Sequence, residues 1–103
     1  MVVIRFKVQC QPSRIEETLA AFAAVVQPSR EVDGVISFDI ARDVVDPNAI
    51  VAFEVFEDEA ARARQELLPE VGRVMSLLPQ VAAAPPEATV FQVSSSADAF
   101  ATA

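Results

Sequence analysis

The hydrophobic pattern of this chain switches period in a set order, and that order limits the available folds before anything else is considered. Val2, Ile4, Phe6, Val8 and Cys10 alternate with Val3, Arg5, Lys7 and Gln9, the two-residue repeat of a strand with one buried face. Pro12 breaks the run, and Ser13 followed by Glu16 has the form of a capping box that opens a helix. Ile15, Leu19, Phe22, Ala23 and Val26 then recur at helical spacing, so one stripe of that helix is expected to be buried. Pro28 should kink or end it, and Gly34 suits the left-handed position that closes it.

Alternation returns from Val35 to Asp43, with Ile36, Phe38 and Ile40 on one face and Ser37, Asp39 and Ala41 on the other. Asp46-Pro47-Asn48 is a turn by composition, and Ile50 to Phe56 completes a hairpin. Asp58 is a natural N-cap for a second helical region. Pro69 fits a first turn and should restart that region. Val71, Val74, Met75 and Leu78 then mark an amphipathic segment stopped by Pro79, and Ala88 to Val93 reads as a final strand.

The order β-α-β-β-α-β is that of the ferredoxin-like α+β fold, an antiparallel sheet with its helices on one face. One domain is expected over residues 1–94, with 95–103 a C-terminal tail, mobile or laid on a partner. Helices cover only one side of such a sheet. The strongly apolar set, Ile4, Phe6, Ile36, Phe38, Val51 and Phe53, is expected on the covered side. The open side would then carry Val3, Val35, Ile50, Phe56 and Val90 among Arg5, Lys7, Asp39, Glu54 and Gln92. That mixture is too apolar to leave wet and too charged for an ordinary core. A twofold homodimer interface fits it, because each charge meets its opposite on the same patch of the partner. Phe56 would anchor the interface, and Arg5 or Lys7 would pair with Asp39 or Glu54. The alternative is a solvated sheet face with scattered apolar residues.

Charge and composition remove several function classes. A net charge of −7 with no basic cluster argues against nucleic acid as a partner. No apolar run approaches the ~18 residues of a membrane span. Arg5 and Lys7 interrupt the N-terminal apolar stretch and no small-residue cleavage site follows, so a cytoplasmic location is expected. Cys10 is the only cysteine, which rules out an intrachain disulfide and reads as a small buried hydrophobe. With no histidine, the nitrogen and sulfur ligands preferred by zinc cannot be assembled, and no spaced carboxylate loop suggests a hard cation. No phosphate-binding glycine loop and no nucleophile–base pair is visible. The expectation is therefore a protein without a metal site or a cofactor-binding motif.

The stretch GVISFDIARDVVDPNAIVAFEVFEDEAA resembles the antibiotic biosynthesis monooxygenase family of the dimeric α/β-barrel superfamily. Gly34 opens the second strand, Phe38 is an aromatic four residues on, and Asp46-Pro47 forms the turn. Glu54-x-Phe56 and Asp58-Glu59-Ala60-Ala61 hold the places of the family's Glu-x-Trp strand and Asp-Glu-x-Ala helix start. The likeness implies a homodimer whose two sheets form a barrel, with a ligand cavity between sheet and helices. It also implies oxidation of polycyclic phenols or quinols by dioxygen without flavin, haem or metal, the substrate anion supplying the electrons. The chain departs from the family at telling places. Phe38 and Phe56 stand where relatives often carry Tyr and Trp, and Gln65 and Glu70 where they often carry His. His, Trp and Tyr are absent from the whole chain, which argues against haem degradation.

Within that frame Glu70 is a candidate general base, if burial raises its pKa, or else a solvated carboxylate favoured in a helix's first turn. Gln65 has the paired donor and acceptor to hold a ligand carbonyl or hydroxyl, or it is an exposed helical residue. Phe6, Phe22, Phe38 and Phe53 are candidates to line a slot for a flat ring, or they fill a core. The leading expectation is a cofactor-independent monooxygenase acting on a small aromatic phenol or quinol. The alternatives are a non-catalytic ligand-binding or scaffold domain of the same fold and a small-metabolite isomerase or lyase.

Overall fold

The first alternating run forms β1 (Val2–Gln9), and it lies inside the sheet, hydrogen-bonded on both sides. In the computed structural model, which describes residues 1–101, β1 is followed by α1 (Ile15–Arg30), β2 (Val35–Arg42) and β3 (Ala49–Phe56). Two further helices, α2 (Glu59–Glu66) and α3 (Pro69–Val81), lead to β4 (Glu87–Gln92). The four strands are ordered β2-β3-β1-β4 and every neighbouring pair is antiparallel. This is the ferredoxin-like α+β arrangement with its helices on one face. No helix among the described residues is long and apolar enough to cross a membrane.

Register decides which side chains the helices cover. Val2, Ile4, Phe6 and Val8 of β1 stand opposite Phe56, Glu54, Ala52 and Ile50 of β3, and directly opposed residues share a face. The covered face of β3 is therefore Ile50, Ala52, Glu54 and Phe56, with Ile50 and Phe56 fully buried. Val51 and Phe53, expected there, lie on the open face, and Phe53 is 47% exposed. Both faces of β3 are rich in apolar residues, so its alternation has no preferred phase, and the hairpin supplies one. Arg42 pairs with Ile50 and Ile40 with Ala52; a pairing one residue out would have set Phe53 opposite Ile40 and reversed every side chain.

Two further phase reversals follow from the same cause. A bulge between Val35 and Ser37 keeps Val35 on the covered side and turns Ile36 out to 58% exposure. In β4, Val90 stands opposite Ile4 and Gln92 opposite Val2. Both are on the helix side, and Phe91 faces the open side. All six β4 residues remain exposed because this strand is a sheet edge.

The helices use a different stripe and a different start from those expected. α1 buries Ile15, Thr18, Ala21, Phe22, Val25 and Ser29, while Ala23 is exposed. Pro12–Arg14 form a 3₁₀ turn, Arg14 occupies the N-cap position, and no side chain caps the helix. The Ser13–Glu16 box therefore does not form; Glu16 instead meets Arg42 at 2.8 Å. α1 continues through Pro28, and α3 continues through Pro79 to Val81. Asp58 does cap α2, its Oδ1 accepting from the Ala61 N–H at 2.9 Å, and Pro69 opens α3. Gly34 has φ +88°, the left-handed conformation. Residues 94–101 form no helix or strand; the last two of the expected tail, 102–103, lie outside the described residues.

Candidate functional site

A cavity of about 440 Å³ lies between the covered face of the sheet and α1, α2 and α3. Its walls are mostly apolar. Ile4 and Phe6 come from β1, Phe38 and Ile40 from β2, Phe22 and Val25 from α1, and Val71, Val74 and Leu78 from α3. The rings of Phe6 and Phe22 sit 5.9 Å apart, tilted by 32°, within the range of a favourable aromatic pair. The exposed residues among its lining, Met75, Ala88 and Glu66, mark the rim.

The polar part of the lining is confined to Glu54, Arg62, Gln65 and Glu66. Gln65 is 3% exposed and donates from Nε2 to Ser29 Oγ at 3.0 Å, a buried bond that ties α2 to α1. Arg62 donates to Glu66 at 2.9 Å and lies 3.5 Å from Glu59, two contacts that hold it along α2. Glu54 projects from β3 between Ile4 of β1 and Phe38 of β2. Burial pushes its carboxyl up to about 7, the Glu66 carboxylate adds to the rise, and the Arg62 guanidinium partly opposes it. The cavity thus combines an apolar slot with one carboxyl that changes protonation near neutral pH.

The expected site residues divide accordingly. Phe6, Phe22, Phe38 and Gln65 line the cavity. Phe53 does not, because its strand phase puts it on the opposite side of the sheet. Glu70, in the first turn of α3, is not among the lining residues; its Oε2 is buried without a hydrogen-bond partner. Of the expected interface residues, Arg5, Lys7 and Asp39 are on the open face, while Glu54 and Phe56 are on the covered one. Lys7 and Asp39 already have partners within the chain, Asp43 at 3.0 Å and Arg30 at 3.0 Å. Cys10 is buried at 1% exposure and its thiol is pushed up by desolvation. Glu54, Arg62 and Glu66 are the charged cavity residues that sequence reasoning did not place there. The hairpin register was the signal that would have placed Glu54.

A second recess, beside the loop from α3 to β4, is lined by Met75, Leu78, Pro79 and residues 82–86. None of those side chains is charged or hydrogen-bonding, so nothing there would orient a ligand.

Residues 1–67 match the sequence profile of the antibiotic biosynthesis monooxygenase family. The chain belongs to that family. An uncharacterised protein of Synechocystis, sll1783, is 25% identical over 92 residues, 89% of this chain and 63% of that protein. The Bacillus subtilis protein named "Putative monooxygenase YcnE" is 33% identical over 61 residues, 59% of this chain and 64% of that protein. The chain therefore spans slightly under two thirds of the length of each of these relatives. Among solved structures, Rv0793 of Mycobacterium tuberculosis superposes with a TM-score of 0.85 at 20% identity, over 94% of this chain and 98% of that one. In this member of the monooxygenase family the cavity lies on the covered face, the side of the sheet that carries Glu54.

Proposed function

We propose that this protein is a cofactor-independent oxygenase acting on a small, flat phenol or quinol bound in the cavity between sheet and helices. One observation carries the reading: the cavity pairs an apolar wall containing Phe6, Phe22 and Phe38 with a single polar cluster around Glu54. Flat apolar rings suit the first, and a phenolic hydroxyl suits the second. Family membership supports the reaction class. Deprotonation of the hydroxyl makes the ring electron-rich enough to reduce dioxygen. A ring C–H becomes a second carbonyl, one oxygen atom enters the product, and the other leaves as water. Protein groups supply positioning, exclusion of water and proton handling.

The same reading includes a homodimer packed through the open sheet face. Phe53 and Phe91, 47% and 46% exposed on that face, support it, since apolar patches of this kind are uncommon on monomers.

Oxygen-electrode assays with a panel of hydroquinones and naphthols test the activity. Uptake of one dioxygen per product is expected, with one oxygen atom of dioxygen incorporated and no hydrogen peroxide released. No turnover above background across the panel would overturn it. Naphthol binding without oxygen uptake would instead favour a non-catalytic ligand-binding domain, the reading to which the absence of His, Tyr and Trp lends weight.

A further inference from the structure

We propose that Glu54 is the proton acceptor of the cavity, and that Arg62 and Glu66 are positioning residues that set the pH at which it works. The proposal rests on the phenol reading above and assigns its first step to a specific atom pair. The covered face of the sheet offers one ionisable side chain to the cavity, and that side chain is Glu54. Ile4 and Phe38 flank it across the neighbouring strands. α2 faces it with Arg62, Gln65 and Glu66; α1, α3 and β4 contribute only apolar lining. A ligand hydroxyl in this slot has no other carboxylate wall group at the sheet. Gln65, the other buried polar residue of the lining, is tied to Ser29 and cannot take up a proton at neutral pH.

The step balances simply. The phenolic O–H bond breaks and its proton forms a new O–H bond on a Glu54 carboxylate oxygen. The bonding electron pair stays on the substrate as phenolate, which then reduces dioxygen. The proton is returned to the oxygen that departs as water, so Glu54 ends as it began. A carboxyl titrating at about 7 suits this role, because a general base works best when its pKa lies near the working pH. Arg62, held by Glu59 and Glu66, places positive charge beside the carboxylate and favours its ionised form, and Glu66 does the reverse.

Three variants and two measurements test this. In E54Q the side chain keeps its shape and loses its basicity; kcat for oxygen uptake should fall by about 100-fold or more while KM stays within a few-fold. The rising limb of the pH–rate profile should move to higher pH in R62Q and to lower pH in E66Q, opposite shifts that a merely structural role would not produce. Separately, carbon-13 NMR should find one carboxyl, absent in E54Q, that titrates near neutral pH and moves when 2-naphthol is added. E54Q turnover within three-fold of the parent, or unmoved limbs in both other variants, would overturn the assignment and leave the oxygenase reading standing. Naphthol contact with Glu54 but no oxygen uptake would sink the oxygenase reading and support the proton-acceptor assignment. A Glu54 carboxyl that titrates as an ordinary glutamate, or ignores naphthol, overturns the assignment whatever the activity.

Discussion

Glu54 and Phe53 are adjacent in the chain and point to opposite sides of the sheet, one toward the cavity and the other toward the open face. Placing an ionisable carboxyl against Ile4 and Phe38 has an energetic consequence. The folded-state pKa of about 7 exceeds the ordinary value of 4.5, so the protein pays nothing while the group is protonated and loses stability once it ionises. The penalty is absent below the unfolded pKa, grows as pH rises, and is complete above the folded pKa. By the usual conversion it amounts to about 3 kcal/mol. E54Q is therefore expected to match the parent in stability near pH 4 and to exceed it near pH 8, by up to that amount. Urea denaturation at the two pH values reads this directly, and a pH-independent difference would mean that the Glu54 carboxylate is not desolvated. Asp43 is held low by the Val45 N–H, by Lys7 and by the Asp46 N–H. It loses its contribution as pH falls, equally in both proteins, so it cancels from the comparison.

At the scale of elements, the parts of the fold visible in the sequence are those with one-sided patterns. β1 alternates from Val2 to Gln9, and its burial follows that rhythm except at Phe6 and Lys7, which are both half-buried. The Asp58 cap and the Pro69 restart are local chemistry and were readable at sight. β3 was readable as a strand but not in phase, because Ile50, Val51, Ala52, Phe53, Val55 and Phe56 give both its faces an apolar character. Phe6, Phe22 and Phe38 line the cavity, as β1 alternation, helical spacing and the part of β2 beyond its bulge suggest, and Gln65 is buried there and not on an exposed helix face. Glu54 was not legible as a cavity residue, because its own strand has no clear phase and its side is set by pairing, by the register of the β2–β3 hairpin and by β1. Gly34 links the two levels. Its positive φ marks the start of β2, and a Cβ built there would lie 2.6 Å from Ala61 Cβ and 3.0 Å from Arg64 Nη2. G34A is expected to destabilise by about 2–4 kcal/mol, combining left-handed backbone strain with overpacking against α2. A loss below about 1 kcal/mol in urea unfolding would show that the β2–α2 junction relaxes around the methyl group.

For the whole molecule, one sheet with helices on one side leaves two kinds of surface. The covered side encloses the cavity. The open side brings Phe53, Val55 and Val3 beside Phe91 across β3, β1 and β4, with Arg5 among them. Sedimentation at micromolar concentration should find a dimer for the parent chain. The double variant F53D/F91D should be a folded monomer, because both side chains point away from the helical core and two carboxylates would have to be buried on association. A parent chain that sediments as a monomer would remove the interface while leaving the cavity and its chemistry untouched.

The sequence by itself determined the order of elements, the Asp58 cap and the Pro69 start, though not the start of α1, and the absence of histidine, tryptophan and tyrosine. Those are properties of spacing and composition, which a chain carries whether folded or not. Only the tertiary structure decided which face of each strand met the helices. A strand's alternation has two phases, and where both faces are apolar the choice between them belongs to hairpin register, to a bulge at Ile36 and to pairing with β1. That choice moved Phe53 and Phe91 to the open side and brought Glu54 to the cavity, where desolvation turned an ordinary glutamate into a group that titrates near neutrality.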